Sequence, residues 1–205
     1  VIQLNEPVNI FDTNMFTMIK EEQGVYGKTT ASQADAIAFA TKKVITEKMA
    51  EDPAFYAKFS KLIQQAIEDF RARRISDMEY LNKAMEYRDK VVTRRHDDVP
   101  DALTGNDDAM AYYGILKPFY EQYPISQKMR ETITVDTALA VQKILEKHWK
   151  VQFWDDDDAQ KRVIGDIDDY LIDEISGKQS VVISYEQIDD IIARVMKVAE
   201  SRSRK

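Results

Sequence analysis

Gly27-Lys28-Thr29 has the composition of the end of a phosphate-binding loop, where backbone N–H groups and a lysine hold nucleotide phosphates. That loop needs a glycine five residues before Gly27, and Glu22 stands there. The run Asp155, Asp156, Asp157 and Asp158 offers the oxygen ligands of a calcium loop. Its sharp-turn glycine, however, would fall at Gln160 and its closing glutamate at Asp166. The simpler reading of these aspartates is as complements to the positive end of a helix N-terminus. His96 and His148 are the only histidines, and neither lies in an H-E-x-x-H spacing. Both read as capping, surface or packed side chains. Metal-dependent nucleases pair an acidic residue with a lysine two positions later, and no Asp or Glu here has that neighbour. With no cysteine, thiolate catalysis, disulfides and cysteine-based metal sites are excluded. These observations argue against catalysis by this chain on its own, against a metal or cofactor site of its own, and suit a reducing cytoplasm.

What remains is charge. The formal net charge of -7 is segregated along the 205 residues. Residues 53–95 carry ten basic and six acidic side chains, 96–108 five aspartates and no Lys or Arg, 151–176 nine acidic and two basic, and 194–205 five basic and one acidic. The basic groups cluster as Lys58, Lys61, Arg71, Arg73, Arg74, Lys83, Arg94 and Arg95, with Arg202, Arg204 and Lys205 ending the chain. Such clusters hold phosphates without reading sequence. An ordinary solvated face is the competing reading.

The elements that must position these residues are helices. Residues 1–30 lack a sustained period of 3.6 and contain Pro7, Gly24 and Gly27, which marks a connector. A helix is expected over 32–49, with Ala34, Ile37, Ala38, Thr41, Val44 and Ile45 on one face. Asp52-Pro53 then starts the clearest helix, in which Phe55, Phe59, Leu62, Ile63, Ala66, Ile67 and Phe70 recur at three- and four-residue steps. Ser76-Asp77-Met78-Glu79 fits a capping box, so a third helix should pair antiparallel with the second through residues 73–76.

Beyond a loop over 97–108, helices are expected from 107 to the Lys117-Pro118 step, over 135–149, and over 155–175 with Gly177 as its C′ residue. A second capping box at Ser184-Tyr185-Glu186-Gln187 opens a last helix carrying Ile188, Ile191, Ile192, Val195 and Val198. The fold class is therefore all-α: an irregular bundle of roughly seven helices with one αα-hairpin. It divides into a connector over 1–30 and one helical domain over 31–205. No apolar run approaches the roughly 18 residues of a membrane span, and 1–11 lacks the apolar core of a signal peptide. A start at Val1 without Met suggests a piece of a longer chain.

Three blocks carry a family likeness. Asp52-Pro53-Ala54-Phe55-Tyr56 through Phe59-Ser60-Lys61-Leu62, then Arg74-Ile75-Ser76 with Glu79-Tyr80-Leu81, resembles the C-terminal helical region of type I restriction enzyme R subunits. Leu103-Thr104 through Ala109 to Tyr112-Tyr113 and Leu116 is similar to that family's L-T-x-x-x-x-A-F-Y-x-x-L segment. Val151 with Trp154, then Lys161 to Tyr170-Leu171, resembles its V-x-W followed by a basic helix, and the flanks look most like the type IC branch. The third block departs from the family in being acidic here, through residues 155–158, Asp166, Asp168 and Asp169.

The resemblance implies a bacterial cytoplasmic complex that translocates and cleaves unmethylated DNA. The nuclease core and the ATP-driven motor domains, with their ATP and magnesium, would lie upstream of this region. This chain would be the non-catalytic assembly end, docking the motor on the methyltransferase subunits. Duplex DNA is expected at Lys58, Lys61, Arg71, Arg73, Arg74, Arg94, Arg95, Arg202, Arg204 and Lys205, and no membrane is involved. A stand-alone helical adaptor without a nucleic-acid role is the alternative.

Overall fold

The computed structural model describes residues 29–179 and 181–203. The connector expected over 1–30 falls, except for its last two residues, outside them. Among the described residues the chain is all-α, with seven α-helices and no strand. These are α1 (Thr30–Lys48), α2 (Pro53–Arg71), α3 (Asp77–Thr93), α4 (Asp107–Tyr120), α5 (Gln127–His148), α6 (Asp157–Tyr170) and α7 (Tyr185–Ser203). A π-helix, Leu171–Lys178, continues α6, and short 3₁₀ turns occupy Asp101–Leu103 and Phe153–Asp155. The contacts divide into two compact units, the first holding residues 29–49 and Phe55–Asp97, the second Ala50–Ala54 and the chain from Asp98 onward.

The first unit contains α1, α2 and α3. Thr29 caps α1 by accepting from the Ser32 N–H at 3.2 Å. Ala34, Ile37, Ala38, Thr41 and Ile45 are buried as their spacing predicts, with Val44 at the edge of the core. The alanines let α1 and α3 approach most closely, and the Tyr80 hydroxyl fixes their start-to-start alignment by donating to Asp35 at 2.9 Å. On α2, Phe55, Tyr56, Phe59, Ile63 and Ala66 are buried, each large side chain contributing about 1.5–3 kcal/mol before entropy. The antiparallel hairpin shows in its ring contacts: Phe70 stacks on Tyr80 at 4.6 Å, Phe59 meets Tyr87 at 6.3 Å, and Phe55 meets His96 at 4.5 Å. The expected capping box is formed. Glu79 N–H donates to Ser76 Oγ at 3.2 Å and Ser76 N–H to Glu79 Oε2 at 2.7 Å, which holds the Glu79 carboxyl below its usual range.

The second unit is built on α4 to α7. Asn106 caps α4, accepting from Ala109 N–H at 3.1 Å. Pro118 does not end that helix, which runs to Tyr120 and only forgoes the bond the missing N–H would make. The fifth helix starts at Gln127 behind the cap Ser126, eight residues before the expected 135. Its first turns hide their inward side behind threonines. Thr134 and Thr137 are buried and donate back to the carbonyls of Arg130 and Ile133 at 2.7 Å each. Tyr120 and Thr137 share a hydroxyl bond at 3.1 Å inside the core, and burial raises the Tyr120 pKa.

Helix α7 buries Ile188, Ile191, Ile192, Val195 and Val198, the five residues its period singles out. Its capping box is present, with Ser184 N–H donating to Gln187 Oε1 at 2.9 Å. Two expectations need correction. The helix expected over 155–175 starts at Asp157 behind the cap Asp156 and gives way to the π-helix after Tyr170. Gly177 is accordingly no C′ residue. It lies inside the π-helix, where the wider ring buries both Leu171 and Ile175, and among described glycines only Gly105 has positive φ.

Candidate nucleic-acid interface

The basic residues of the first unit gather at helix ends, and the cause is local. Helix α2 terminates with Arg73 in the left-handed region (φ 55°), its N–H on the Phe70 carbonyl at 2.9 Å and the Arg74 N–H on the Asp69 carbonyl at 2.8 Å. Helix α3 terminates the same way at Arg94 (φ 50°), with the Arg95 N–H on the Lys90 carbonyl at 3.0 Å. Glycine usually holds such positions, and a side chain there costs about 1 kcal/mol. The last carbonyls of a helix carry about half a negative charge, so arginines at these ends also stabilise the helices.

The hairpin sends the two clusters to opposite ends of a rod. Helix α2 has 19 residues, which at the α-helical rise is about 28 Å. At one end Arg71, Arg73 and Arg74 are exposed. Arg74 pairs with Asp69 at 2.9 Å, and that bond holds the Asp69 carboxyl below its usual range. At the other end stand Arg94, Arg95 and Lys58, with Lys90 between them and the core. Lys90 binds Asp97 at 2.7 Å, which raises the lysine and lowers the carboxyl, while Lys58 and Arg95 add to the field on Asp97. Lys58 also lies 5.9 Å from the centroid of the Phe59 ring. Lys61 is exposed on α2, between the two ends. The arrangement offers two cationic ends and a mixed-charge shaft, suited to two phosphate contacts that carry no sequence information.

The expected C-terminal cluster does not join them. Arg202 belongs to the second unit, where its side chain is 9% exposed and donates to Asp108 at 2.5 Å and to the Glu51 carbonyl at 3.2 Å. It ties α7 to α4 and presents no face to a phosphate. Arg204 and Lys205 lie outside the described residues. His148 is a half-buried partner of Asp166 at 2.8 Å, and Lys147 shares that carboxylate at 2.7 Å. Asp156, read in sequence as part of an acidic run, caps α6 through the Ala159 N–H at 2.8 Å. Its ion pair with Lys150 holds its carboxyl below the usual range. Among the described residues no His, Asp and Glu side chains cluster as a metal site would need, and no helix is long and apolar enough to cross a membrane.

Two surface features escaped the sequence reading. A groove of about 760 Å³ runs along the first unit between Phe39, Ile67, Arg71 and Tyr80. In the second unit, Trp149 and Val151 stand in solvent after α5 ends. Two large apolar residues in a segment without helical period were the available signal for the latter. No protein-family model, curated protein or solved structure matches this chain.

Proposed function

We propose that this chain is the non-catalytic assembly domain at the C-terminal end of a type I restriction motor subunit, docking the motor on its methyltransferase core. The supporting observation is where the three resembling blocks fall. Phe55, Tyr56, Phe59, Tyr80 and Leu81 make the core of the first unit, and Leu103, Ala109, Tyr112, Tyr113, Leu116 and Leu171 line that of the second. The likeness thus rests on packing positions, which specify a scaffold, and not on scattered surface residues. Catalysis, ATP and magnesium are assigned to the upstream part of the parent subunit. Duplex contact through the two arginine ends is a compatible second role.

The test is co-expression with the modification and specificity subunits encoded beside this reading frame. Truncation at Val151 is unsuitable, because it removes α6 and α7 and with them much of the core of the second unit. Intact chain should co-elute with the methyltransferase. Reversing Arg73 and Arg74, then Arg94 and Arg95, to glutamate should leave co-elution intact and make duplex binding less steep in salt. Absence of a neighbouring methyltransferase gene, or no co-elution with its product, sinks the reading in favour of a stand-alone adaptor. Co-elution with an unchanged salt slope leaves docking and removes the duplex role.

A further inference from the structure

The second unit displays an indole that the protein orients but does not cover. Trp149 is 50% exposed and Val151 89% exposed. The Trp149 ring stacks on Phe153 at 5.2 Å and 24°, and Phe153 is itself 1% exposed, so one face of the indole is backed by core. Trp154 stands edge-on to both rings, at 6.4 Å and 4.9 Å, and is pinned by its own Nε1–H donating to Ser203 at 2.6 Å. The orientation of Trp149 is therefore set in advance by its neighbours. Apolar surface held rigid in water next to a nearly bare valine is the character of an interaction site.

The charge around the indole selects the partner. The nearby lysines are neutralised, Lys147 by Asp166 and Lys150 by Asp156. Asp155, Asp157 and Asp158 remain exposed on the segment that follows. A negative surround beside an open aromatic face repels phosphate, which disfavours nucleic acid despite the appeal of a stacking base. It suits a planar cation that lies on the indole while bonding carboxylates, a geometry that guanidinium has and ammonium lacks. The aliphatic stem of the same side chain would lie along Val151. We infer that Trp149 and Val151 form a docking surface for an arginine-bearing basic segment of a partner protein. This inference does not depend on the restriction-subunit reading.

Trp149 and Trp154 are the only tryptophans in the chain, so intrinsic fluorescence reports on this surface. The whole chain would be titrated with an arginine–glycine repeat peptide, a lysine–glycine peptide of equal length and single-stranded oligothymidylate, with calorimetry alongside. The arginine peptide should give a saturable change and bind about fivefold more tightly than the lysine peptide. Trp149→Ala should weaken it about tenfold, and Asp155→Asn with Asp157→Asn should flatten its salt dependence. Val151→Asp is the second variant, and unchanged melting curves certify that both variants fold. Equal binding of the two peptides, indifference to Trp149→Ala and Val151→Asp, or tighter binding of oligothymidylate would each overturn the inference.

Discussion

The two units enclose cores of similar design with opposite contact chemistry. In the first, rings on α2 reach across to α3, so Phe55, Phe59 and Phe70 meet His96, Tyr87 and Tyr80 in an antiparallel ladder while the alanines of α1 bring α1 close to α3. In the second, helices meet through missing atoms and hydroxyls. A Cβ on Gly114 would lie 2.7 Å from the Ala54 Cβ, and Tyr120 and Thr137 satisfy each other inside the core. A ladder of rings tolerates charge at its ends, because its cohesion lies along the shaft. The basic ends of the first unit, and the commitment of Arg202 to structure in the second, follow that division.

The sharpest way to break the comparison is to remove the central rung. Phe59 is 1% exposed and touches Phe55 and Tyr87. Phe59→Ala should lower the unfolding free energy by about 3–5 kcal/mol in a urea melt. A loss near 1 kcal/mol would mean that the ring leaves a gap its neighbours close easily, and the ladder would not be what holds the first unit.

A middle-sized effect tests the second unit. Alanine in place of glycine inside a helix normally stabilises by about 0.5–1 kcal/mol. At Gly114 the added methyl meets Ala54, so Gly114→Ala should destabilise, by about 1–3 kcal/mol in the same measurement. A gain in stability would show that the segment Ala50–Ala54 yields and that no close approach is needed there.

How much of this was legible in the sequence depends on which physical signal carried it. Helices α2 and α7 announced themselves because their buried residues are large, apolar and spaced at three and four, and the boxes at Ser76 and Ser184 are side-chain signals written locally. The start of α5 was invisible because its inward positions include threonines that satisfy their hydroxyls on their own helix, so a buried face read as polar. The π-helix has no residue signature, since its width is decided by what Leu171 and Ile175 must reach. The division into two units was equally unmarked, for Ala50–Ala54 packs with the chain beyond Asp98 and no composition shift precedes it. Of the ten basic residues assigned to a surface role, Arg202 was misplaced because burial beside Asp108 is a long-range fact.

The smallest effect separates two jobs held by one residue. Arg73→Gly relieves a left-handed backbone and offsets part of that gain through a more flexible unfolded chain, so stability should rise by about 0.5 kcal/mol. If Arg73 also meets phosphate, duplex affinity of the assembled complex should fall uniformly across sequences while the melt moves upward. Unchanged duplex binding would assign Arg73 to helix termination alone, and a lower melting point would contradict the strain at φ 55°.

The π-helix at Leu171–Lys178 has a consequence for how this chain accommodates changes of length. A π-helical turn contains one residue more than the α-helical ladder would use, held without interrupting the rod. Removing a single residue from that stretch would let the ladder close as an ordinary α-helix and would rotate whatever follows by about 100°. Val181 and Ile183, now buried, would be carried away from the core they fill. The segment is thus a phase adjuster between α6 and α7, and engineering here should conserve residue count before residue identity.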